Sequence, residues 1–149
     1  MTADRSITVT RRISAPPATV FRYWTDPQLV RGWYAPVDEW IVGTAEITPG
    51  VGGGYHITFG PAEDADAYTE KGSYLVYDPP HRLMWDGTVE GEGADDGVTR
   101  IEITFAEDGD GTLVTVVESG MSAATAEEHE QGWAAGLEKL AATVEAAAH

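Results

Sequence analysis

Trp133, Leu137, Leu140 and Val144 fall at offsets of four, three and four, which draws a single apolar stripe along a C-terminal helix. Alanine-rich stretches at Ala134-Ala135, Ala141-Ala142 and Ala146 to Ala148 favour that helix, and their small side chains let it sit close to a sheet. Thr125-Ala126-Glu127-Glu128 is the expected capping-box start. A helix with one apolar stripe has to bury it, and the preceding chain offers a series of short segments with period-two alternation.

Ile7 to Ile13 alternates apolar and polar side chains and is rich in β-branched residues, the pattern of a strand with one buried face. From Pro17 the spacing turns helical through Val20, Phe21 and Trp24, and Asp26-Pro27 reads as an N-cap that opens a second short helix ending near Gly32. The chain then leads out through Trp33-Tyr34 and Pro36. Strands are predicted at Trp40 to Ile47, Tyr55 to Phe59, Tyr68 to Tyr77, Leu83 to Val89, Val98 to Phe105 and Thr112 to Glu118. The first two should form a hairpin across Pro49 to Gly54, and the short connections that follow imply an antiparallel meander. The predicted class is α+β: a curved antiparallel sheet of about seven strands around one long helix, with two short helices after the first strand.

One domain over residues 1–149 suits this length. The formal charge of −16 argues against nucleic acid and anionic membrane surfaces as partners. The 42% hydrophobic content, with five Trp, six Tyr and three Phe, excludes a disordered acidic tail. There is no cysteine, hence no disulfide or thiolate metal site. No apolar run resembles a signal peptide or membrane span, so a cytoplasmic protein is expected. The histidines lack metal-site spacing, and Asp108-Gly109-Asp110-Gly111 lacks the rest of a calcium loop. No metal and no cofactor are expected. Gly50 to Gly54 lacks a phosphate-loop pattern, and Glu118-Ser119-Gly120 lacks the leading glycine of a nucleophile elbow.

Arg11-Arg12-Ile13-Ser14-Ala15-Pro16-Pro17-Ala18-Thr19-Val20-Phe21 resembles the opening of the START-like, or SRPBCC, superfamily. Thr25-Asp26-Pro27 with Gly32-Trp33-Tyr34-Ala35-Pro36, then Gly52-Gly53, Gly72-Ser73-Tyr74, Pro79-Pro80-His81-Arg82-Leu83 and Gly132-Trp133, continue the likeness in order along nearly the whole chain. The branch it looks like is that of the single-domain homologues of the activator of a heat-shock-chaperone ATPase. The resemblance implies a helix-grip fold enclosing an apolar cavity, in a superfamily whose members bind hydrophobic small molecules or lipids and include polyketide cyclases and aromatases. The chain starts at the first strand of that unit, without the additional domain with which the eukaryotic activator engages its chaperone, so a chaperone role is less expected. Tyr34 stands where the branch commonly has a second Trp, and its hydroxyl can donate into a pocket.

Candidate ligand-binding residues follow from ring chemistry and strand parity. Trp33, Trp40 and Trp85 are the tryptophans best placed to line a pocket, whereas Trp24 and Trp133 read first as core. Parity turns Tyr55, Ile57 and Phe59 inward, with Glu70, Tyr74 and Val76, Leu83 and Trp85, and Ile101, Ile103 and Phe105. Tyr34, Trp133 and Leu137 complete the expected binding set. Arg11 and Glu70 are charges on inward faces, which need partners or solvent. Glu70, Tyr74 and His56 are the candidates for proton transfer, although His56 has the parity of a solvent-facing residue. The acidic runs Glu63 to Asp66 and Glu90 to Asp96 are expected in loops that gate a cavity and disfavour anionic ligands. Three functions stay open: binding of an apolar ring-containing small molecule, a cyclase-like enzyme using the same cavity, and a docking module built on an exposed patch around Trp33 and Tyr34.

Overall fold

A computed structural model describes residues 5–35, 39–91 and 97–147. The expected exit through Pro36, the acidic residues 92–96 and the terminal His149 lie outside these residues. Seven strands form one antiparallel sheet: β1 (Arg5–Ile13), β2 (Trp40–Thr48), β3 (Gly54–Pro61), β4 (Tyr68–Asp78), β5 (Arg82–Glu90), β6 (Thr99–Asp108) and β7 (Gly111–Met121). Their spatial order is β1-β7-β6-β5-β4-β3-β2, so β2 to β7 make the expected meander and β1 closes against its last strand. The helices are α1 (Pro17–Thr25), α2 (Pro27–Val30) and α3 (Ala123–Ala147), and Ala62–Asp64 makes one 3-10 turn.

The short helices start as their prolines require. Pro17 occupies the first turn of α1, where a missing N–H costs nothing, and the Pro16 carbonyl accepts from Thr19 and Val20. Asp26 ends α1 in an extended conformation and caps α2, its carboxylate accepting from the Gln28 amide at 2.9 Å. The long helix begins earlier than its expected capping box. The Ser122 carbonyl accepts from the Thr125 and Ala126 amides, so the first turn forms ahead of Thr125.

The α3 stripe meets the sheet through Leu137, Leu140, Ala141 and Val144, each at most 1% exposed. Each large side chain of that set contributes about 1.5–3 kcal/mol by burial. The ion pair between Arg11 Nε and Glu138, at 2.6 Å, and the Ser14 amide donating to Glu145 Oε2 at 2.9 Å tie α3 to β1 and the turn after it. Arg11 therefore has its partner at the rim, as a strand-end charge should.

Parity holds for β1, β3, β5 and β6 but fails within β4. A bulge between Tyr74 and Val76 inserts Leu75, so Tyr74 opposes Trp85 whereas Val76 opposes Met84. Tyr77 is turned inward in place of the expected Val76, its ring 5.7 Å from Phe21 and 5.2 Å from Tyr74. Trp24 is the hub of the aromatic core, with Trp33 at 4.6 Å and Phe105 and Trp133 each at 6.0 Å.

Gly72 lies beneath two of these rings. A Cβ there would stand 2.4 Å from Tyr55 Cε1 and 2.8 Å from Trp85 Cδ1, and neither ring has a flexible end to swing away. Gly72→Ala is expected to destabilise the fold by about 1–3 kcal/mol in urea unfolding through this overpacking. A change within a few tenths of a kcal/mol would show that the rings adjust freely.

Candidate functional site

The first half of α3 does not close on the sheet. Between them lies a partly open cavity of about 160 Å³. Trp33 and Tyr34 wall it from the segment after α2, Tyr55 and Phe59 from β3, and Glu70 from β4. Gly87, Thr88 and Val89 of β5, Thr99 and Ile101 of β6, and Glu118 of β7 line the sheet side. His129, Gly132, Trp133 and Gly136 form the helix side. Their spacing of three, one and three places them on one face of α3. A Cβ on Gly132 or Gly136 would meet no atom within 4 Å, so the two glycines leave open the space that side chains would fill. Interior glycines cost a helix roughly 0.5–1 kcal/mol each relative to alanine.

Glu70 presents one oxygen to two phenols. Tyr34 and Tyr55 donate to its Oε1 at 2.6 and 2.7 Å, and the other oxygen takes no hydrogen bond among the described residues. Desolvation pushes the Glu70 carboxyl above the usual carboxylate range, opposed by the two phenol hydrogen bonds and reinforced by repulsion from Glu118. Burial and the neighbouring Glu70 push both tyrosines well above their ordinary value, so both hydroxyls remain donors.

Glu118 has the opposite balance. It is 4% exposed, with Thr99 Oγ1 donating to Oε2 at 2.7 Å, Trp133 Nε1 donating to Oε1 at 2.8 Å and His129 Nδ1 3.0 Å from Oε1. Burial alone would raise this carboxyl, but the hydrogen bonds from His129, Thr99 and Trp133 together with the His129 charge hold it below the usual range. The cavity thus holds two carboxyl groups whose surroundings drive their protonation in opposite directions, an arrangement able to divide the roles of acid and base.

Of the expected binding residues, Trp33, Tyr34, Tyr55, Phe59 and Trp133 line the cavity, as does the proton-transfer candidate Glu70. Trp40 does not; its ring stacks on Tyr68 at 5.1 Å near the sheet edge. Tyr74, Trp85, Phe105 and Leu137 are buried core residues outside the cavity wall. His56 lies on the outer side of β3, its Nδ1 3.3 Å from Glu46, and does not line this cavity. Trp33 is only 1% exposed and its Nε1 donates to the Tyr23 carbonyl at 2.8 Å, so among the described residues it forms no exposed docking patch of the kind expected around it. Within the acidic run from Glu63 to Asp66, the Asp66 carboxylate accepts from Thr58, and none of the run lines the cavity as a gate would.

Thr99, Glu118, His129, Gly132 and Gly136 line the cavity although none is among the expected binding residues. Glu118 continues the inward parity of Thr112, Val114 and Val116, and Thr99 that of Ile101 and Ile103. Among the described residues no group of His, Asp and Glu is disposed to hold a metal ion, and no helix is long and apolar enough to cross a membrane.

Opposite pH signatures are expected from the two carboxyl groups. The folded chain holds the Glu70 proton more tightly than the unfolded chain does, so this contribution is fully present below about pH 4.5 and is lost as pH rises through the folded pKa. Glu70→Gln should therefore gain stability over the wild type toward neutral pH. Glu118 contributes above about pH 4.5 and loses that contribution as pH falls through its lowered value. Glu118→Gln should cost about 1.5–3 kcal/mol at pH 7 and less in acid, read from urea unfolding across the pH range. Parallel profiles for the two variants would contradict the assignment.

The chain matches the family described as Activator of Hsp90 ATPase homolog 1-like protein over residues 14–145. A solved protein of Chromobacterium violaceum is 29% identical with a TM-score of 0.83, over 94% of this chain and 96% of that one. The AHSA1-like protein of Aeromonas hydrophila is 22% identical with a TM-score of 0.83, over 97% and 94% of the two chains. CalU16 of Micromonospora echinospora is 24% identical with a TM-score of 0.71, over 95% of this chain and 76% of that one. The last two likenesses are of fold. No curated protein matches the chain in sequence. With the family match spanning β2 to β7, α1, α2 and nearly all of α3, the chain belongs to the AHSA1-like family of the SRPBCC helix-grip superfamily.

Proposed function

We propose that this protein binds a small, ring-containing apolar molecule in the cavity between the sheet and the first half of α3. The observation that carries this reading is the pair of interior glycines, Gly132 and Gly136, facing open space inside an aromatic wall. A helix whose only task was to cover the sheet would gain both propensity and burial from alanine or leucine at these positions. The superfamily fold commonly serves ligand binding, which agrees with the reading. At about 160 Å³ the cavity matches one or two rings.

A second reading, a cyclase-like enzyme, draws support from the divided protonation of Glu70 and Glu118. In that case the same cavity would hold a folded substrate while Glu70 moves a proton.

Gly136→Leu separates a binding role from a structural one. The isobutyl group would occupy the cavity, so the variant should melt at or above the wild-type temperature while losing ligand-induced stabilisation. In a thermal-shift panel of one- and two-ring compounds, a ligand at a hundred times its Kd stabilises the wild type by about 2.7 kcal/mol. No shift of the wild type with any ring compound, or equal shifts in the variant, would overturn the reading.

A further inference from the structure

We infer that the cavity selects an organic ammonium: a protonated amine on a short arm of an aromatic or cyclic ring, with the charge at Glu70 and Glu118 and the ring among the aromatic walls. This rests on the ligand-binding reading above and specifies the chemistry of its ligand.

All nine lysines and arginines of the chain lie outside the cavity wall. Arg11, Arg12, Lys71, Arg82 and Arg100 are each paired with a carboxylate elsewhere. The stretches 36–38 and 92–96 contain no lysine or arginine. An anionic ligand would therefore enter a cavity with two carboxyl groups and no fixed cation except a protonated His129, whose ring is already engaged with Glu118. Its burial would cost desolvation without a compensating charge.

A cation meets the reverse situation. The second oxygen of Glu70 takes no hydrogen bond from the described residues, while Tyr34 and Tyr55 hold the first at 2.6 and 2.7 Å and so fix the direction in which the carboxyl presents it. An ammonium has three donors and no acceptor, which complements carboxylates and is not repelled by the Tyr34 and Tyr55 hydroxyls or by Glu118, which face Glu70 together with His129. Only His129, in its protonated form, would oppose it, across the ion pair with Glu118. Trp33, Trp133 and Phe59 add aromatic rings to the wall, and a ring attracts a cation that lies over its face in a desolvated site. The volume accommodates one ring and a short amine arm.

Isothermal titration at pH 7 with benzylamine, benzyl alcohol and benzoate tests the inference on three ligands of one size and different charge. Benzylamine should bind on the order of tenfold more tightly than benzyl alcohol, and benzoate more weakly than either. Glu70→Gln, isosteric and checked for an unchanged circular-dichroism spectrum, should bring the benzylamine to benzyl alcohol ratio toward one. Benzyl alcohol binding as tightly as benzylamine, or a tighter benzoate, overturns the ammonium preference and leaves the ligand-binding reading standing. No binding by any of the three overturns the preference as well, and a wild-type chain that also fails with the wider ring panel overturns the binding reading with it. A ratio that Glu70→Gln does not change overturns the place given to Glu70.

Discussion

One helix does two incompatible jobs along its length. From Leu137 to Val144, α3 is sealed against the sheet by side chains at most 1% exposed, and this contact holds the curved sheet and the helix together. From His129 to Gly136 the same face carries glycine, histidine and a half-buried Trp133, and stands off from the sheet. The first contact makes the second affordable in energetic terms: a well-buried C-terminal half lets the N-terminal half tolerate two interior glycines and an unfilled volume, each of which is destabilising by itself.

The open half is neither greasy nor wet in a uniform way. Trp33, Tyr34, Tyr55, Phe59 and Trp133 bring aromatic rings to its wall, and its two carboxyl groups have different chemistry. Glu118 is saturated by Thr99, Trp133 and His129 and so is stabilised as an anion. Glu70 is engaged at one oxygen only and its desolvation is not outweighed by its two hydrogen bonds, which leaves it with capacity for a further donor. Tyr34 and Tyr55 come from elements far apart in sequence, so this arrangement exists only when the segment after α2, β3 and β4 are all in place. Gly72 permits it by giving the Tyr55 ring room.

Local periodicity made the architecture legible. The apolar stripe of α3, the alternation of β1 and β6, and the proline and Asp26 signals around α1 and α2 each act over a few residues and read directly as elements. The Leu75 bulge was not legible, because a single inserted residue leaves the local pattern of β4 intact while reversing its parity beyond that point. Parity alone also cannot separate a ring that lines a cavity from one that fills the core, which is why Tyr74, Trp85, Phe105 and Leu137 shared the inward face with Tyr55 and Phe59 yet lie outside the cavity wall. Glu118 was within reach of the same parity argument applied to β7. Its link to His129 was not, since it joins β7 to α3 beyond a register irregularity at Gly120, whose φ is +95°.

Native mass spectrometry of freshly purified protein, with a denatured control, tests most directly whether the open half of α3 is a binding site. A defined additional mass of one- or two-ring size, lost on denaturation and absent when the cavity is filled by Gly136→Leu, is the result this account predicts. The bare chain mass throughout, together with an unchanged tryptophan fluorescence spectrum when ring compounds are added, would contradict it and leave the cavity a packing defect of a structural helix.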